Sequence, residues 1–233
     1  MYIHPAFRID EAASLAFAAT RGFGLVVAHA DGRMVASPLP FTIDQAAGGR
    51  WLAFHVARGN RLADVAASGG RWLVAVWGAD AYVSPHWYAS PDQVPTWLYE
   101  SVQLAGPVRV MTAEEQRAHL DRLSATFEAR QAPRPPWAIA RLTPARGEAF
   151  MQAIVAIEMT VESVEGSFKL NQHKSDADHA AIARALAGQD DAGAGAIAAR
   201  MMALRPHLVY GQNLAYGQSE TEADERELVA AAK

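Results

Sequence analysis

Apolar positions alternate in some stretches of this chain and recur every three to four residues in others, and the switches between the two periods outline its elements. GLVVAHA (24–30) and RMVASPL (33–39) flank Asp31-Gly32, a pair that supplies the positive φ angles of a tight turn, so they are predicted as a β-hairpin. WLAFHV (51–56) predicts another strand, Asn60 to Ser68 a short helix, and the unbroken apolar run WLVAVWG (72–78) a buried strand. TWLYESVQLAGPVRVM (96–111) predicts one long strand bent at Gly106-Pro107. Helix starts are marked by Asp10, by Thr112 with Glu115 three residues on, by Thr143-Pro144 and by Ser175 with Asp178, each placing an oxygen or a proline where a first turn needs one. IEMTVESVEGSFKL (157–170) predicts a returning strand that turns at Glu165-Gly166, and PRPPW (133–137) a rigid linker. Strands dominate the first half and helices the end. The pattern predicts an α+β fold, mainly antiparallel β, with a barrel, peripheral helices and a helical C-terminal region.

Three segments follow: a barrel domain over 1–174, C-terminal helices over 175–206 packed on it, and a tail over 207–233. The stretch 188–200 is so rich in Gly and Ala that it needs a packing partner to hold as a helix. The tail is acid-rich with little apolar periodicity and is expected to be extended or partly disordered unless a second subunit holds it.

Composition narrows the function. The chain has 233 residues, 51% of them hydrophobic, enough for a substantial core, but no apolar run of about 18 residues that could span a bilayer. It opens without a basic-then-apolar leader, so a cytoplasmic location is expected. With no cysteine, disulfides and thiolate chemistry are excluded. The eight histidines show no HxxxH or HxH spacing, so no metal is expected. A GxSxG elbow is absent, and Ser84 precedes a proline instead of opening a helix, which argues against a serine hydrolase. The net charge is −4, and the helix after Thr112 balances acids against arginines, so neither offers a DNA-reading surface.

Two places could carry chemistry. In FHVARGN (54–60), His55 sits near a strand end while Arg58 and Asn60 lie on the turn into a helix, where backbone amides and a guanidinium attract a phosphate. In KLNQHKS (169–175), Lys169, Gln172 and Lys174 crowd a helix start, again favouring an anion. Between them runs AYVSPHWYASPDQVPTWLYESVQLAG (81–106), where Tyr82, Trp87, Tyr88, Trp97 and Tyr99 mix with short hydroxyls and prolines. Rings and hydroxyls on rigid turns suit a flat ligand with polar edges, so Ser84 and Trp97 join the candidates.

These words in this order resemble the PaiB-like family of FMN-binding negative transcriptional regulators. The resemblance begins at Met1, Tyr2, Ile3, Pro5 and Phe7, runs through FHVARGN, AYVSPHWY with VPTWLY, and GSFKLNQHKSDAD, and covers roughly residues 1–205. Leu98 and His173 depart from it, the family often having Asn at both. The resemblance implies a flavin-binding split β-barrel with FMN as cofactor. By likeness to pyridoxamine phosphate oxidase, Phe54, His55 and Val56 would line the ring and ribityl chain, and Arg58 and Asn60 the phosphate, with Lys169 and Gln172 matching a second motif. It also implies a homodimer with FMN at the interface, and a regulatory role that extends to DNA by the family's label only. A flavin oxidoreductase without a regulatory role is the alternative, and no residue pattern specifies a substrate.

Overall fold

The computed structural model describes residues 1–46 and 48–211. The rest of the expected tail lies outside the described residues. Chain contacts define two units: Met1–Gly78 with Tyr99–Lys169, and Ala79–Leu98 with Leu170–Lys233.

The first unit holds a short strand β1 (Arg8–Ile9), helix α1 (Glu11–Arg21), strands β2 (Phe23–Ala30), β3 (Arg33–Ala46) and β4 (Gly49–Ala57), and helix α2 (Arg61–Ala66). After it come β5 (Arg71–Val83) and β6 (Thr96–Val110), whose adjoining ends pass into the second unit. Helices α3 (Ala113–Glu128) and α4 (Pro144–Ala153) and strands β7 (Ile154–Thr160) and β8 (Ser163–Lys169) complete it. The strands run in the order β1-β8-β6-β5-β2-β3-β4-β7, and β7 pairs back onto β6, so β6, β5, β2, β3, β4 and β7 close a ring.

Two strands split that ring into two sheets. β3 pairs with β2 from Arg33 to Pro40 and with β4 from Phe41 to Ala46. β6 pairs with β8 from Tyr99 to Ala105 and with β7 from Val108 to Val110. The second change of partner happens at the bend expected at Gly106-Pro107. A Cβ at position 106 would overlap the carbonyl oxygen of Thr160, so only glycine lets β6 pass so close to the end of β7.

Alternation fills the ring. Val26, Leu52, Phe54, Val56, Val74, Val76, Val102, Leu104, Ile157 and Met159 are buried, each worth roughly 1.5–3 kcal/mol for the larger side chains. Helix signals behave as their chemistry demands. Asp10 Oδ1 accepts from Ala13 N at 2.7 Å, and Gly22, at φ 58°, ends α1 in the left-handed region. Thr112 and Glu115 form a reciprocal capping box on α3. Asp31 and Gly32 take φ of 50° and 71°, the hairpin turn expected.

One turn falls elsewhere than expected. β7 and β8 are separated at Val161-Glu162, and Gly166 lies inside β8, opposite Val102 and Ile9. Its glycine serves close packing: a Cβ there would overlap Ser14 Oγ and the Ile9 side chain. β3 also runs past Leu39 through both prolines, because the strand is changing sheets there.

The second unit contains a 3-10 turn (Pro85–Trp87) and helices α5 (Asp176–Ala187) and α6 (Ala192–Leu204). The two helices pack on each other, burying Ile182, Ala183 and Leu186 with Ala194, Ile197, Ala198 and Met201. Thus the Gly/Ala-rich stretch has a helical partner. The unit draws on an internal segment as well as on the C-terminal helices, a grouping that sequence order does not display.

Candidate functional site

The end of β4 and the turn into α2 set the geometry of the first candidate. Period-two alternation puts Phe54 and Val56 on one face of β4, and both side chains are buried in the core, Phe54 with its ring centroid 6.1 Å from that of Trp72. Only their backbone could contact a cofactor. His55 takes the other face and meets α3: its Nδ1 lies 3.1 Å from Nε2 of His119. At that distance one ring donates and the other accepts, so the pair is satisfied when both are neutral. Burial lowers the pKa of His55, and burial, aided by the charges of His55 and Arg122, takes His119 down to about 4. His119 is fully buried and its Nδ1 has no hydrogen-bond partner among the described residues. His119 was missed in the sequence because it lies 64 positions from His55 with no motif joining them.

Arg58 follows on the exposed turn. Its Nε donates to the Gln152 carbonyl at 2.7 Å and one terminal nitrogen to the Ile154 carbonyl at 3.1 Å, both from the end of α4 and the start of β7. The guanidinium is thereby fixed, with its second terminal nitrogen outside those bonds. Asn60 serves the backbone: its Oδ1 accepts from Leu62 N at 2.9 Å, and its Nδ2 donates to Ser37 Oγ at 3.0 Å. α2 has six residues and Asn60 already caps it, so the helix end offers no anion site of its own. Arg61, on the same turn, adds positive charge and reaches Asp31 at 3.5 Å.

Lys169 is also in the first unit, at the end of β8, its ammonium 5.8 Å from the centre of the Phe7 ring. Ser84, Trp97 and Gln172 belong to the second. Ser84 Oγ accepts from His86 N and caps the 3-10 turn. Gln172 Oε1 accepts from Leu170 N at 2.7 Å. Trp97 is 55% exposed and meets Tyr82 edge-on at 6.1 Å, while Trp87 and Tyr88 are half-buried. Of the five rings Tyr82, Trp87, Tyr88, Trp97 and Tyr99, Trp97 alone is more than half exposed. Tyr99 is half-buried in the first unit.

The start of α5 is filled by the chain's own carboxylates. Asp178 accepts from Ser90 N at 2.9 Å, Ser90 Oγ at 2.8 Å and Ser175 Oγ at 3.0 Å. Burial pushes its pKa up, but the Ser90 and Ser175 hydrogen bonds outweigh that and hold it below the usual value. Lys174 Nζ donates to Gln93 at 2.7 Å and lies 5.0 Å from the Tyr88 ring centre. Asn171 adopts φ 57° with its side-chain amide buried and without a hydrogen-bond partner among the described residues.

A ring split by two strands that change sheets is the architecture of the flavin-binding split β-barrels. The FAD and heme binding protein from Mycobacterium smegmatis shares it: 18% identical, with 91% of this chain and 89% of that chain covered, at a TM-score of 0.52. So does a conserved hypothetical protein from Mycobacterium tuberculosis, 10% identical over 72% of this chain and 90% of that chain, at a TM-score of 0.51. Residues 1–163 match the family described as "Putative FMN-binding domain", and the chain belongs to that family. It is similar to the Protease synthase and sporulation protein PAI 2 of Bacillus subtilis (strain 168), 26% identical over 192 residues, 82% of this chain and 91% of the relative. The likeness to the PaiB-like family therefore extends beyond the motifs.

Proposed function

We propose that this protein binds FMN through its first unit and uses it as a sensed or redox-active ligand in a regulatory role. The observation that carries the reading is Arg58. Its guanidinium is held by two backbone carbonyls at the end of a barrel strand, in a chain of the FMN-binding-domain family. Fixing a guanidinium in advance lowers the entropy lost when a phosphate binds. The backbone of residues 54–56 would flank the ring system, Arg58 with Arg61 nearby would hold the phosphate, and Lys169 would supply further positive charge. Bound flavin would supply hydride or electron transfer, and the protein's part is to position it and set its electrostatic surroundings. Ser84, Trp97 and Gln172 belong to this reading as second-unit contacts, which a partner chain could bring to the cofactor.

Arg58→Ala is expected to weaken FMN about tenfold to a hundredfold, since a charge-assisted pair contributes about 1.5–3 kcal/mol. Riboflavin, which lacks the phosphate, serves as the control. Its affinity should change little, and titrations showing equal losses for both ligands would move the phosphate elsewhere. Flavin absorbance of the purified protein tests cofactor binding itself, and reduction by a nicotinamide donor tests redox activity.

The reading includes a homodimer with FMN at the interface. Phe23, Met34 and Trp77 are large apolar side chains left exposed on first-unit strands, which supports a covering subunit. FMN that engages only the assembled form raises dimer stability by mass action. Light scattering on dilute protein should show a larger dimer fraction with FMN. A monomer with full FMN affinity would remove the interface from the reading. The second reading, a flavin oxidoreductase similar to pyridoxamine phosphate oxidase, gains weight if a nicotinamide donor turns over repeatedly. Among the described residues no structural feature favours binding to DNA, and a gel-shift assay at stated salt tests it.

A further inference from the structure

The second unit contains a cleft of about 410 Å³ that has Trp97 in common with the flavin reading but none of its charged groups. Its apolar walls are Tyr82, Trp87, Trp97 and Leu186, and its polar lining is Asp80, Gln189 and Asp191. No Lys, Arg or His lines it among the described residues. From the geometry and charge of this cleft we infer that it is a binding site for an organic ammonium ion with an aromatic or aliphatic body.

Four features select that chemistry. Trp97 and Tyr82 meet edge-on and are both about half exposed, so ring faces and edges stay available to a ligand, and a cation is attracted to a ring face. The Asp80 carboxylate has no ion-pair or hydrogen-bond partner among the described residues. Gln189 uses its amide nitrogen on the Ala185 carbonyl at 3.2 Å, which leaves its oxygen as an acceptor. Asp191 spends Oδ1 on the α6 N-cap, to Ala194 N at 2.6 Å, and retains Oδ2. A primary ammonium carries three donors, and the lining offers Asp80, Gln189 and Asp191 as acceptors.

The helix ends agree. The carbonyl end of α5 brings Leu186 and Gln189 to the cleft and carries partial negative charge. The amide end of α6 would favour an anion, but Asp191 already neutralises it. A phosphate or carboxylate ligand would face two acids with no counter-charge. This excludes the FMN phosphate from the cleft, so the inference shares only Trp97 with the flavin reading.

The test uses the full chain and three probes of nearly equal shape: 2-phenylethylammonium, neutral 2-phenylethanol and anionic phenylacetate, each titrated by calorimetry and tryptophan emission. The cation should saturate and bind at least about tenfold tighter than either analogue, with affinity falling as salt rises. Asp80→Asn and Asp191→Asn should each weaken it by about three- to tenfold, since asparagine preserves the α6 cap while removing the charge. Trp97→Leu should do the same, and if that variant fails to fold, the two asparagine variants carry the test. The inference fails if phenylacetate or phenylethanol binds as well as the cation, or if both asparagine variants keep the parent affinity. FMN titration of Asp80→Asn should be unchanged, so failure of the cleft and failure of the flavin reading give different results.

Discussion

Replacing Gly106 by alanine should cost about 3 kcal/mol or more, and a shift of several degrees in Tm should accompany it. The new methyl would meet Thr160 carbonyl oxygen and carbon and the amide nitrogen of Glu162, all backbone. Side chains can rotate out of a clash; these atoms cannot, because β7 is paired on both edges, to β4 and to β6. Glu162 N also donates to the Ala105 carbonyl at 3.0 Å, so opening the crossing breaks a hydrogen bond next to the substitution. Gly147→Ala is the matched control. A Cβ there meets nothing within 4 Å, and the residue lies inside α4, where alanine is favoured by up to about 1 kcal/mol. Urea unfolding should show a lowered midpoint at an unchanged slope for Gly106→Ala, and an equal or raised midpoint for Gly147→Ala. A Gly106→Ala protein as stable as the parent would mean that β6 does not cross as described.

The second large effect is on pH. His119 is fully buried with its pKa lowered to about 4, and that of His55 is lowered as well. The unfolded chain would titrate both near 6.5, so between that pH and about 4 it binds more protons than the folded chain, and folding loses stability as pH falls. The contribution of His119 is complete above about pH 6.5 and is lost progressively down to about pH 4, on the order of 3 kcal/mol. Protonation of both rings also leaves the His55–His119 contact without an acceptor and sets two cations with ring nitrogens 3.1 Å apart. His119→Phe should flatten the unfolding free energy in this window while leaving the carboxylate contribution at lower pH in place. Parallel curves for the two proteins across pH 4 to 6.5 would contradict the pairing.

How far the sequence could be read depended on whether a signal was local. Asp10, Thr112 with Glu115, Ser175 and Asp31-Gly32 act within one turn of themselves, and each element they begin or close is where it was expected. Gly106 was legible as a bend because proline follows it. Gly166 was not legible, since a turn glycine and a glycine admitting Ser14 and Ile9 look identical in a sequence. The prolines of β3 hid its length for a similar reason: Pro38 and Pro40 end most strands, but here the strand is changing partners. In the site, the turn 54–60 was visible as a motif, yet the uses of its side chains were not. Nothing local says that Asn60 serves Ser37, that Arg58 holds two carbonyls, or that His55 meets a histidine on α3. The grouping of Ala79–Leu98 with α5 and α6 was equally out of reach, because it depends on contacts such as Ser90 with Asp178.

That last contact has a temporal side. Ser90 and Asp178 are 88 positions apart, and β6, β7 and β8 are encoded between them. At 5–20 residues per second, a ribosome needs roughly 4–18 s to make Asp178 after Ser90. Throughout that interval the nascent segment bearing Trp87 and Trp97 has neither of the helices that later bury part of it. It emerges unaccompanied, and the helices that shelter it are translated only afterwards.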